Sequence, residues 1–147
     1  MTPRSASFAK LDTSDPVAVA DALRAIDPRG TVVLFENLGC PPFIPPQIIA
    51  SLFEGVGNVV GVCAALGFPA YHVAARTWQT DLFGKPPPKA KGKKRTVRAE
   101  GSQRKGLFVE KANARWKGQR FIQSDGRADA AWIAEWGRRF RFASVAW

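Results

Sequence analysis

The stretch TVVLFE, residues 31–36, is a continuous β-prone run without polar alternation, closed by a carboxylate. A half-exposed strand alternates apolar and polar residues, so an unbroken run of this length predicts a parallel strand covered on both faces. Its last residue, Glu36, falls at the carboxyl end of the strand, where ligands bind in open α/β sheets.

Working outward, Asp15 and Pro16 read as the N-cap and first position of a helix that runs through VAVADALRAI. The helix stops at Asp27-Pro28-Arg29-Gly30, a Pro and Gly stop signal. After TVVLFE, NLGCPPFIPP is a Pro-rich loop, and residues 47–68 form a long apolar helix whose Gly55, Gly57 and Gly61 permit close packing on a neighbour. Residues 70–75 (AYHVAA) give a second strand, 77–83 a short helix, 106–116 a further helix, and 125–142 a final one. Strand, helix, strand, helix in this order predicts an α/β fold with a parallel sheet.

The length, 147 residues, fits one domain, 1–147, with residues 1–12 as a leader and 85–105 as a basic flexible segment. Hydrophobic residues make up 46% of the chain, with five Trp and ten Phe, which supplies a core and excludes global disorder. Cys40 and Cys63 are 23 positions apart, too far for a CxxC site, and read as reduced thiols. The N-terminal stretch has no apolar signal region, so a cytoplasmic location is expected. Residues 55–75 contain no Asp, Glu, Lys or Arg, but four Gly, Asn58, Pro69 and His72 favour a buried helix and strand over a membrane span. His72, the single histidine, has no nearby Cys pair and reads as a core or surface residue.

The net charge of +10 is concentrated. Residues 85–120 hold 13 of the 22 basic residues and two acids, while the remainder is close to neutral. Such a segment attracts a phosphate backbone, because each neutralised phosphate releases counterions. Lys85, Lys89, Lys91, Lys93, Lys94, Arg95, Arg98, Arg104 and Lys105 are the candidate nucleic-acid contacts. No apolar helical face accompanies the run, so a membrane is the weaker partner.

Asp125 and Asp129 lie four apart at the start of the final helix, on one face with Trp132 or Ile133, Trp136 and Phe140. If the aromatics pack on the sheet, both carboxylates point to its edge, near Glu36. In the plainer reading Asp125 or Ser124 is an N-cap and Asp129 a favourable first-turn charge. Three carboxylates beside a basic arm, with no usable His or Cys nucleophile, suggest two-metal phosphodiester chemistry with Mg²⁺, or Mn²⁺, on oxygen ligands.

These residues carry a resemblance. VVLFE (32–36), the AALGFP turn (64–69), Thr77-Trp78 and DGRADAAWIAEWGRR (125–139) match, in order, the phage and bacterial RuvC-like Holliday junction resolvases. The resemblance implies a ribonuclease H-like fold and a Mg²⁺-dependent endonuclease of DNA recombination and repair. It also implies a homodimer that nicks branched or four-way DNA, with Glu36, Asp125 and Asp129 as catalytic, metal-binding carboxylates. The family opens with a strand carrying an Asp, for which no counterpart precedes Glu36: Asp12 and Asp15 lie in a capping context, and Asp27 follows a helix. Gln79 stands where the family usually has Lys. A non-catalytic basic nucleic-acid-binding protein is the alternative expectation, and a small ribonucleoprotein component the third.

Overall fold

The computed structural model describes residues 11–37, 43–85, 97–123 and 126–142. The chain is mixed α/β and mostly helical: α1 (Pro16–Arg24), β1 (Val33–Glu36), α2 (Pro46–Leu66), β2 (Ala70–Val73), α3 (Ala75–Phe83), α4 (Val97–Arg115) and α5 (Arg127–Trp136). A π-helical turn, Gly137–Arg141, continues α5. β1 and β2 form a two-stranded parallel sheet in which Leu34 pairs with Tyr71 and Glu36 with Val73.

Local chemistry explains the element ends. The Asp15 carboxylate accepts the Val17 N–H at 2.9 Å and Pro16 occupies the first turn, which starts α1 as the sequence predicts. Asp12 likewise accepts the backbone N–H and hydroxyl of Ser14, so both acids have local capping roles. α2 ends at Gly67, whose φ of 77° is open to glycine at little cost, and the chain turns directly into β2.

Side chains alternate across a strand, so Leu34 and Glu36 share one face of the sheet with Tyr71 and Val73. That face carries the core. Val73 is buried with Trp78, Phe108, Ala112, Phe121, Ala128, Ala131, Trp132, Ile133 and Trp136, and Leu34 packs against them. On the opposite face Phe35 meets the exposed His72 ring edge-on at 4.2 Å.

α5 is the element around which β1, α3 and α4 pack, and its indoles are individually tethered. Trp132 Nε1 donates to the buried Phe108 carbonyl at 2.9 Å, inside a ring of Phe83 and Trp116. Trp136 Nε1 donates to Asp81 of α3 at 2.7 Å. Before α5, the Asn113 amide exchanges two hydrogen bonds with the backbone of Phe121, which pins the α4–α5 connection. At Gly137 the Leu34 side chain occupies the space a Cβ would need, so the sheet and the end of α5 approach only because this position is glycine.

One charge lies in this interior. Glu135, 7% exposed, accepts hydrogen bonds from Arg115 of α4 at 2.6 Å, from Arg138 twice at 2.9 Å and from Arg139 at 2.6 Å. Burial alone would raise its pKa; the bonds from Arg138 and Arg139 and the Arg115 charge outweigh burial and hold it below the usual carboxylate range.

Several sequence expectations are corrected. β1 is half-buried along its length rather than fully covered, since only two strands pair among the described residues. The helix expected over 47–68 is α2, but it is mostly exposed: only Gly55 and Cys63 are buried, and no atom lies within 4 Å of a Cβ at Gly57 or Gly61. Its packing partner is α1, to which Asn58 is tied through the Thr13 and Ser14 carbonyls. By length and composition alone α2 could also cross a membrane. Of the basic segment expected over 85–105, residues 86–96 lie outside the described residues, and α4 begins at Val97. Phe140, expected to continue the buried stripe, is 54% exposed; the π-turn, closed by the Phe142 N–H on the Gly137 carbonyl, shifts the helical register after Trp136.

The packing of α5 is testable by removal of its central indole. Trp132→Ala is expected to cost about 3–5 kcal/mol in urea unfolding, from lost burial and the cavity left behind.

Candidate functional site

Four elements converge at the carboxyl end of β1. Glu36 is its last residue, and its Oε2 accepts the Trp78 indole N–H from α3 at 3.2 Å. Trp78 itself is fully buried against Phe83 and Phe108, so the donor is fixed by packing. Asp129 stands in the first turn of α5, where the helix dipole favours an anion. It comes close enough that its charge raises the Glu36 pKa. Lys105 of α4 completes the group, with Nζ 3.8 Å from the Asp129 carboxylate.

The electrostatics are those of two carboxylates held together. Desolvation is the largest influence on Glu36 and raises its pKa, and Asp129 raises it further; the Trp78 hydrogen bond and Lys105 lower it without offsetting the rise. Such a pair fits a hard divalent cation, whose preferred ligands are carboxylate oxygens and whose charge would relieve their repulsion. Among the described residues no group of three or more His, Cys, Asp or Glu converges.

The expected residues fall into three groups. Glu36 and Asp129 lie near enough for the Asp129 charge to act on Glu36. Asp125 lies outside the described residues, as do Lys89, Lys91, Lys93, Lys94 and Arg95, and α5 is capped by Gly126 rather than by an acidic side chain. Lys85 is exposed beyond α3, Arg98 falls at the start of α4, and the Arg104 guanidinium lies over the Phe108 ring at 5.9 Å. Lys105, expected as a nucleic-acid contact, pairs with Asp129. Trp78 is a partner of Glu36 that the sequence does not announce, although a buried indole N–H needs an acceptor, and Glu36 closes a strand that precedes it. Cys63 is a buried free thiol whose pKa burial pushes up, and Cys40 lies outside the described residues.

The raised pKa at Glu36 has measurable consequences. In a carboxyl NMR titration, Asp129→Asn is expected to lower the Glu36 pKa, and Trp78→Phe or Lys105→Met to raise it further. A carboxyl that binds its proton more tightly when folded stabilises fully below its unfolded pKa, and that contribution is lost as pH rises through the folded value. Glu36→Gln is therefore expected to raise the thermal midpoint near neutrality, with the gain vanishing below the ordinary Glu range. No protein-family model matches the chain, and no curated protein is detectably similar to it in sequence.

Proposed function

We propose that the chain is a Mg²⁺-dependent, structure-selective endonuclease of branched DNA, similar to the RuvC-like Holliday junction resolvases and built on a ribonuclease H-like arrangement. The observation that carries this reading is the approach of Asp129 to Glu36 at the carboxyl end of a parallel strand, against the electrostatic cost of doing so. Such cost is borne where carboxylates serve chemistry rather than stability.

Glu36 and Asp129, together with Asp125, would hold Mg²⁺ or Mn²⁺. When bound, two such ions supply a nucleophilic water at neutral pH and stabilise the leaving oxygen of the phosphodiester. The chain's own residues do the rest. Trp78 fixes the Glu36 carboxylate through its N–H and shields that side from water. Lys105 holds Asp129 in place and balances one charge of the pair. The basic residues from 85 onward would attract the phosphate backbone. The same reading makes the protein a cytoplasmic homodimer, matching the two-fold character of a four-way junction.

Cleavage of a labelled four-way junction tests the proposal. Glu36→Gln and Asp129→Asn are each expected to reduce Mg²⁺-dependent nicking by at least about 100-fold, while junction binding persists. Cleavage unchanged in both variants would overturn it. Salt-sensitive binding without any cleavage, indifferent to Mg²⁺ and to both substitutions, would instead establish a non-catalytic nucleic-acid-binding protein.

A further inference from the structure

Glu135 gathers more positive charge than it needs. One buried carboxylate is neutralised by one guanidinium, yet Arg115, Arg138 and Arg139 all bond to it, which leaves the group with two surplus positive charges. Crowding three like charges opposes folding unless something else offsets it. The three arginine side chains are 40%, 55% and 42% exposed, so their forks reach the surface while their anchor does not. Each guanidinium has five N–H donors in a fixed plane. The bonds to Glu135 use one from Arg115, two from Arg138 and one from Arg139. Arginines held this way have already surrendered much of their rotamer freedom, which lowers the cost of gripping a second anion.

We infer that Arg115, Arg138 and Arg139, gathered by Glu135, bind the phosphodiester backbone of a nucleic acid at a place separate from the Glu36 and Asp129 pair. Glu135 is six residues beyond Asp129, about 9 Å further along α5. The cluster therefore holds the polymer at the far end of the same helix that carries an acid of the candidate site. A planar fork suits phosphate oxygens bidentately. A polyanion also suits the surroundings, since Arg115 belongs to the 85–120 segment that carries most of the positive charge. The choice of nucleic acid as the polyanion rests on the proposed function; the existence of the arginine cluster does not.

Arginine footprinting of the whole chain with phenylglyoxal, read by mass spectrometry, tests this without any substitution. Addition of a four-way DNA junction is expected to slow modification of Arg115, Arg138 and Arg139 several-fold and to leave Arg24 and Arg29, exposed in and after α1, unchanged. In parallel, replacing Arg138 and Arg139 with Gln is expected to reduce the slope of log affinity against log salt by about 0.9 for each phosphate no longer neutralised. Bound DNA that leaves the three arginines fully reactive overturns the inference and spares the proposed function. An unchanged salt slope with a lowered thermal midpoint also overturns it, making the cluster a fastening of α4 to α5 only. Protection by phosphatidylserine vesicles but not by DNA replaces nucleic acid with a lipid surface, and failure to bind DNA at all removes both readings.

Discussion

The burial of α5 by its tryptophans is the constraint on which the rest of the structure depends. Trp132 fills the space between α4 and α3 and commits its one polar hydrogen to the Phe108 carbonyl, so helix position and helix rotation are fixed together. An indole satisfied in this way cannot turn without stranding a buried donor. Trp136, bonded to Asp81, sets the same rotation a turn later. With that face inward, Asp129 stands where its charge acts on Glu36 at the end of β1. The acid pair is thus a consequence of aromatic packing rather than an independent feature.

How far the fold is legible in the sequence depends on the same physics. The α5 stripe can be read because helical period and aromatic size are local properties, and the position of Asp129 relative to Trp132 and Trp136 derives from them. β1 is legible as a strand, and Glu36 as its end, from the unbroken apolar run. The exposure of α2 is not, since an apolar helix looks the same in sequence whether or not anything covers it. Only its neighbours in the fold decide the matter, and these are chiefly α1. Phe140 escapes for a different reason. A single π-turn at Gly137 rotates the residues after it, and glycine beside a strand side chain is visible only once Leu34 and Gly137 are known to be neighbours.

Lys105 and the Glu135 cluster mark a third class, in which the residue type is read correctly as basic but its partner is nonlocal. Within a run of Lys and Arg, every member invites the same interpretation. Tertiary structure divides them: Lys105 is directed at Asp129, Arg104 at an aromatic ring and Arg115 at Glu135. Only the geometry shows which cation meets which of the protein's own groups.

Glu36 and Glu135 show how one residue type serves opposite ends within a single helix's surroundings. Both are withdrawn from water, which by itself raises the pKa of each. Glu135 meets three guanidinium groups, so its pKa falls; its contribution to stability is present above the ordinary Glu range and fades as pH drops through the lowered value. Glu36 meets another carboxylate and a single indole donor, so its pKa rises and its contribution fades in the other direction, as pH climbs. At neutral pH one carboxylate therefore strengthens the fold and the other weakens it. A neutral amide at position 36 could accept the same Trp78 bond without repulsion, whereas at position 129 it would forfeit the Lys105 pair and the favourable end of the helix dipole. The strengthening acid fastens α4 to the end of α5, and the weakening one stands at the strand terminus beside a second acid.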